Sequence, residues 1–173
     1  IDDIVDVIKD EADQDYQLAA GISQDVEADD SILELTKARL PWLVLALLGG
    51  LISVKVLELF GEAMKEHGSL FFFMPLIAAM AGNVGVQSSA IIVQGLANDS
   101  LSGSLFNRLI KEVSLSLLNG IILATILFFG SHFLLDVQSI IGVIVTIALV
   151  SVIIIASLIG TFVPILLDKF GID

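Results

Sequence analysis

Cysteine is absent from this 173-residue chain, and histidine and basic side chains are scarce. Without cysteine the chain can form no disulfide, no thiolate metal site and no cysteine nucleophile. Eight Lys and Arg stand against twenty Asp and Glu, which gives a formal net charge of −12. Because nucleic-acid binding depends on neutralising phosphates with Lys and Arg, this balance predicts no nucleic-acid partner.

Catalytic motifs are missing as well. The two histidines, His67 and His132, lie far apart in the sequence and in no metal-ligand spacing such as HExxH. The sequence has no GxSxG nucleophile elbow, no P-loop and no pair of aspartates inside an apolar segment. We therefore expect that the chain is not an enzyme.

Apolar residues dominate the composition. They make up 56% of the chain, and charged residues make up 16%, whereas soluble domains are about 45–50% apolar and about 25% charged. The charge is also uneven, because residues 1–36 hold twelve of the twenty acidic residues and a single basic one, Lys9. From Lys37 onward seven bases nearly balance eight acids. An acidic segment therefore precedes a nearly neutral hydrophobic body.

Four segments are apolar over the length of about 20 residues that a membrane-spanning helix needs. They cover about 40–60, 70–96, 113–135 and 138–167. The fold class that follows is an all-α membrane protein, a polytopic bundle of transmembrane helices preceded by a cytoplasmic amphipathic helix. Pro41 is expected at the start of the first spanning helix, where its missing N–H costs little. With these boundaries, no span carries an acidic side chain deep in the membrane.

Basic residues in the short connecting segments predict the orientation, because such residues are retained on the cytoplasmic side. Placing the N-terminal segment in the cytoplasm puts five bases inside and one outside. The inside residues are Lys37, Arg39, Arg108, Lys111 and Lys169, and the outside residue is Lys65. We therefore predict a multi-pass protein of the cell membrane, in contact with lipid, whose acidic segment is cytoplasmic.

Residues 1–20 have the apolar spacing of one face of an amphipathic helix. The other surface stacks four carboxylates at steps of three and four, at Asp3, Asp6, Asp10 and Asp13. Like charges at these steps cost roughly 0.2–0.5 kcal/mol per pair. A divalent cation would relieve that repulsion, and a solvated acidic face is the alternative. Residues 21–36 are predicted to be a linker and residues 37–173 a transmembrane domain.

Amide side chains line one face of the second span. Asn83, Gln87 and Gln94 are spaced so that they share a helix face. Gly82 and Gly85 lie within the same turn, which permits close helix approach or local unwinding. A polar stripe in lipid needs partners, so it either binds neighbouring helices or faces a water-filled path. The residues alone leave both interpretations open.

Three segments resemble the MgtE family of magnesium channels. The segment PLIAAMAGNVGVQSSAIIVQGLA, residues 75–97, is similar to that family's pattern P-x(6)-GGN-x-GNQ-[SA]-x(4)-[VI]-x-GLA. RLPWL at 39–43 and LIGTFVPILLDKFGID at 158–173 resemble the entry to the first span and the exit from the fourth. Within the motif Gly82, Asn83 and Gln87 match, whereas Val86 stands where the family commonly has Asn.

The resemblance implies a homodimeric, Mg²⁺-gated channel in which the second span lines the pore. The pore-lining residues would be Gly82, Asn83, Gly85, Val86 and Gln87. It also implies cytoplasmic CBS domains that sense Mg²⁺ and a connecting "plug" helix, which corresponds to residues 1–20. The plug-helix carboxylates that would share Mg²⁺ with the CBS domains are Asp3, Asp6, Glu11 and Asp15.

On this resemblance we expect the chain, which runs from Ile1 to Asp173, to be a partial MgtE sequence. The expected piece holds the plug helix and the first four of five spans. The cytoplasmic N-terminal and CBS domains and the fifth span, with the aspartate that holds the pore ion, would lie outside it. Two other functions are considered: a secondary transporter or exporter of divalent cations, and a membrane anchor whose acidic arm binds a soluble partner.

Overall fold

The computed structural model describes residues 2–98 and 103–171, except for the side chains of residues 2–6, 8–10 and 64. All regular secondary structure in these ranges is helical, so the prediction of an all-α fold is confirmed. The helices are α1 (Asp2–Ala19), α2 (Ile32–Glu58), α3 (Gly61–Glu66), a 3₁₀ helix (Gly68–Phe73), α4 (Met74–Ala97), α5 (Leu105–Phe133) and α6 (Ser139–Lys169).

Four helical segments of the described chain are long and apolar enough to cross a membrane. They are Ile32–Glu58, Gly68–Ala97, Leu105–Phe133 and Ser139–Lys169. Each overlaps one of the spans predicted from the sequence, so the prediction of a polytopic helical bundle is confirmed. The division into plug helix, linker and transmembrane domain stays a prediction.

Helix α2 begins earlier than its hydrophobic pattern indicates. The Ser31 Oγ accepts a hydrogen bond from the Glu34 N–H at 3.4 Å, and the Glu34 carboxylate accepts the Ser31 N–H at 3.1 Å. This capping box satisfies two backbone donors that a helix start leaves without partners, and it makes residues 32–36 helical. The expectation that Pro41 opens the helix is wrong, because the capping box starts the helix at Ile32 and places Pro41 inside α2.

The chain divides into two compact units, Ile1–Ala63 and Met64–Asp173. In the second unit, α6 packs against both α4 and α5. The buried residues of α6 recur mostly at steps of three and four, and they are Ile141, Gly142, Val145, Leu149, Ile153, Ser157, Gly160 and Thr161. Because this spacing keeps side chains on one side of a helix, a continuous seam of α6 forms the interior of this unit.

Glycines allow α5 to lie close to α6. A Cβ added to Gly120 would lie 3.4 Å from Val150 Cγ1, and one added to Gly142 would lie 3.2 Å from the Ser131 Oγ. Both glycines are buried. Small residues at such crossings are the usual means by which helices in membranes pack tightly, since lipid provides no hydrophobic force between them.

Candidate functional site

Helix α4 has one buried face and one exposed face. Ser88, Ile92 and Gly95 are buried, at steps of four and three along the helix. The exposed side carries the amides and their neighbours, at Gly82, Asn83, Val86, Gln87 and Gln94. Four of the five residues predicted to line a pore therefore lie together on the exposed side of α4, and Gly85 does not.

The amide groups of Asn83 and Gln87 have no hydrogen-bond partner in the part of the chain that the structure describes. Val86, which lies between them in the sequence, exposes 67% of its surface. A polar group that faces hydrocarbon without a partner costs several kcal/mol. This face therefore requires water, an ion or another polar surface against it. The alternative, in which the amides bind neighbouring helices, finds no such hydrogen bond within the described residues.

Gly85 lies on the side of α4 that packs against α6. A Cβ on Gly160 would overlap the Gly85 carbonyl oxygen and would lie 3.2 Å from the Gly85 carbonyl carbon. The Ser88 Cβ also lies 3.2 Å from the position that a Cβ on Gly160 would take. The geometry gives Gly85 and Gly160 a role in the close crossing of α4 and α6, and a place for Gly85 in a pore lining stays a prediction.

Glu112 is a candidate residue that the hydrophobic pattern misses. The pattern starts the third span at residue 113, whereas the Ser104 side chain caps α5 by accepting the Asn107 N–H at 3.3 Å. Glu112 thus lies two turns inside α5, half-buried, and its carboxylate accepts a 2.6 Å hydrogen bond from the Ser88 Oγ. Since Ser88 is near the middle of α4, the Glu112 carboxylate lies beside the interior of a candidate span, although the hydrophobic pattern starts the third span after Glu112. That no span carries an acid deep in the membrane stays a prediction. The sequence Ser-x-x-Asn at Ser104 marks the start of the helix, and it could have shown that Glu112 lies inside α5.

Hydroxyl groups continue from Glu112 into the interior. Ser116, one turn further along α5, donates a 2.5 Å hydrogen bond to the Ser157 Oγ, which in turn donates to the Ile154 carbonyl at 3.0 Å. The buried Thr161 hydroxyl has no partner among the described residues. Such interhelical hydrogen bonds contribute on the order of 0.6 kcal/mol each in membrane proteins, so this seam helps to hold α4, α5 and α6 in one arrangement.

The exposed amides, the glycine crossing and Glu112 all lie in a part of the chain that matches a known family. Residues 74–173 match the family described as "MgtE: Divalent cation transporter". The chain belongs to the MgtE family. Together with the four candidate spans, this membership shows a multi-pass membrane protein.

Curated members of the MgtE family match the whole chain. It is 34% identical over 174 residues to "Magnesium transporter MgtE" of Bacillus subtilis (strain 168), and 34% identical over 175 residues to the protein of that name from Enterococcus faecalis. The protein of that name from Thermus thermophilus is 29% identical over 176 residues. All of this chain is covered in each comparison, and it spans 38% to 39% of the relatives' own lengths.

The structure describes the side chains of residues 7 and 11–19 of the acidic helix α1, and these do not form a metal site. Among the described residues no group of three or more His, Cys, Asp or Glu side chains is arranged to hold a metal ion. Glu11 and Asp15 are exposed one turn apart on α1. Asp3 and Asp6 belong to the helical backbone of α1, but their side chains lie outside the described residues. The regulatory carboxylate set therefore stays a prediction.

Proposed function

We propose that this chain forms part of a pathway that carries Mg²⁺ across the membrane, with the exposed face of α4 lining a water-filled route. The observation that carries the proposal is the exposure of Asn83 and Gln87 on a membrane-spanning helix without partners among the described residues. Membership of a divalent cation transporter family supports it, as do relatives named magnesium transporters.

The chemistry of this face suits a hydrated ion. Mg²⁺ gives up its water ligands reluctantly and is usually held with several waters in place. The amides of Asn83 and Gln87 can accept hydrogen bonds from those waters through their oxygens. Glu112 lies on α5 and accepts a hydrogen bond from Ser88 of α4, so its carboxylate would add negative charge beside the route. The Val86 side chain offers no polar group, so the amides on either side would do most of the lining.

A second copy of the chain would complete the route. One copy presents the amide face on a single helix, and a single helix face cannot enclose water. A homodimer in which the two α4 helices line a shared route would cover both amide faces and keep them away from lipid. We propose this assembly, within an intact protein that also carries the CBS domains.

The proposed transport can be measured in liposomes that contain the intact protein and a trapped Mg²⁺-sensitive dye. Inward flux down an imposed Mg²⁺ gradient, in proportion to that gradient and without a proton or sodium gradient, is the expected result for a channel. Flux that requires a proton or sodium gradient would instead identify the secondary transporter, the alternative function. If flux does not exceed that of protein-free liposomes, the result would favour the third function, a membrane anchor that conducts no ion.

Gating by cytoplasmic Mg²⁺ would act through α1. Carboxylates that repel one another are drawn together when Mg²⁺ binds among them, and an ion that binds one state better shifts the population toward it. We therefore propose that cytoplasmic Mg²⁺, shared between α1 and the CBS domains, favours a closed state. Low cytoplasmic Mg²⁺ would release α1 and open the route.

Neutralising Asp3, Asp6 and Glu11 together, as Asn, Asn and Gln, should leave flux insensitive to cytoplasmic Mg²⁺. The physical reason is that the closed state loses the ligands that make Mg²⁺ favour it. The measurement is flux across a titration of Mg²⁺ on the cytoplasmic face. A control with the same loss of charge neutralises Asp25, Glu27 and Asp29 in the segment that follows α1. If Mg²⁺ still suppresses the flux through both variants as it does in the unaltered protein, α1 is not the sensor.

Replacing Glu112 with Gln tests whether its charge assists transport. Gln keeps an oxygen that can accept the Ser88 hydrogen bond, so the packing of α4 and α5 should be retained. We expect flux to fall by about tenfold, which corresponds to ~1.4 kcal/mol in the barrier. Glu62→Gln, at an exposed acid of α3, is the matched control. Equal flux for both variants would show that the Glu112 carboxylate serves packing alone.

A further inference from the structure

The segment between α1 and α2 is folded against the last turn of α1. The Gln17 side chain donates to the Val26 carbonyl at 2.8 Å and accepts the Val26 N–H at 3.1 Å. Gly21 adopts a φ of 78°, and the Ile22 N–H donates a 2.9 Å hydrogen bond to the Gln17 carbonyl. These bonds close α1 with a glycine in the left-handed conformation and hold the chain that leaves it.

The same segment is also tied to α2. Both the backbone N–H and the Oγ of Ser23 donate to the Ala38 carbonyl, at 2.9 Å and 3.0 Å. Ala38 is fully buried. The two bonds therefore join Ser23 to the second turn of α2.

The Ala38 carbonyl lies next to a break in the hydrogen bonding of α2. Pro41 has no N–H, so it gives no helical hydrogen bond to the carbonyl four residues before it, that of Lys37, and its ring crowds that carbonyl. Helices commonly bend at such a position. The two Ser23 donors therefore attach the segment to α2 at the carbonyl beside this break.

A ring contact forms a second tie between the segment and α2. The Trp42 indole lies over Gly21 so closely that a Cβ on Gly21 would come within 2.6 Å of its Cγ and Cδ1 atoms. Gly21 also needs a positive φ that other L-residues rarely adopt. Two independent constraints thus require glycine at position 21.

We propose that Gly21, Ser23 and Trp42 form a rigid joint through which a reorientation of α1 turns α2 at Pro41. The proposal rests on the proposed function, in which α1 responds to Mg²⁺. A flexible linker of about twelve residues would have an end-to-end distance of roughly 20 Å that fluctuates widely. Such a linker would absorb a small movement of α1, whereas the joint transmits it to α2.

Distances between spin labels test the joint directly. The intact protein, with Gln14→Cys on α1 and Leu47→Cys on α2, is labelled and studied by pulsed electron paramagnetic resonance with and without Mg²⁺. Both positions are exposed, and this chain has no cysteine of its own. We expect narrow distance distributions in both conditions. The combination Gly21→Val with Ser23→Ala should broaden them and should lower the suppression of flux by Mg²⁺ by about fivefold or more, in the range of typical coupling between sites.

Controls separate the joint from general damage. Gln24→Ala, an exposed neighbour in the same segment, and Ser23→Thr, which keeps both donors, should retain narrow distributions and normal suppression. If the double variant does not fold, Ser23→Ala alone provides the same comparison. A joint variant whose distributions stay narrow, or one that broadens while suppression is unchanged, overturns the proposal. Unaltered protein that shows no flux, or no suppression by Mg²⁺, would instead overturn the proposed function, and the width of its distributions would still decide whether the joint is rigid.

Discussion

Replacing Asn83 and Gln87 together with leucine should reduce Mg²⁺ flux by at least about a hundredfold. Each amide is expected to hydrogen-bond a water that the doubly charged ion polarises, which brings the bond close in strength to one with a charged group, about 1.5–3 kcal/mol. Losing two such interactions raises the barrier by ~3 kcal/mol or more, and each ~1.4 kcal/mol is tenfold in rate. The side chains are exposed and unpaired among the described residues, so their loss should not disturb the packing within this chain.

The matched control is Asn119→Leu. Asn119 is also an exposed amide on a spanning helix, in this case α5, and the substitution has the same change of shape and polarity. We expect flux through that variant to equal that of the unaltered protein, measured as dye response in liposomes with equal amounts of folded protein. Full flux through the Asn83 and Gln87 double variant would show that this face of α4 does not border the ion route.

Gly160→Ala is expected to destabilise the second unit strongly. The added methyl group would overlap the carbonyl oxygen of Gly85, which belongs to the backbone of α4 and cannot rotate away. The two helices would have to separate at this crossing, where the Ser88 Cβ also lies close to Gly160. Overpacking of a tight interior costs about 1–3 kcal/mol, and the upper end is expected here because the clash is with backbone.

Thermal unfolding of purified protein in detergent measures this effect. Gly160→Ala should lower the unfolding midpoint by several degrees, since ~1 kcal/mol shifts it by about 2–4 °C for a domain of 150 residues or more. Gly130→Ala is the control, because a Cβ there meets no atom within 4 Å and alanine favours the helix. If both variants unfold at the midpoint of the unaltered protein, the crossing of α4 and α6 is looser than described.

Helix boundaries show where the hydrophobic pattern is a poor guide. Average apolarity falls where charged residues begin, so the pattern starts the third span at 113, after Arg108, Lys111 and Glu112. The helix itself starts where a side chain satisfies its first N–H groups, and Ser104 does so at α5. Ser31 does the same at α2, before Pro41. Local capping therefore extends both helices into polar sequence and brings Glu112 inside α5.

The acidic segment illustrates a different limit. Its charge and spacing predict a helix, and α1 forms over Asp2–Ala19. The turn that follows reads as a linker because it is rich in Gly, Ser and acids. It becomes ordered through contacts with Ala38 and Trp42, which lie more than a dozen residues along the chain and which no local pattern indicates.

The amino-acid sequence alone determined that this protein has a hydrophobic body of four spans and that Asn83 and Gln87 share a helix face, because composition and a period of 3.6 residues are local properties. Only the tertiary structure decided which face of α4 is covered. Gly82 and Gly85 lie within one turn and look equivalent in the sequence, yet Gly82 is exposed and Gly85 meets Gly160 of α6. Burial depends on a partner far along the chain, and a helix's own periodicity carries no information about where that partner packs.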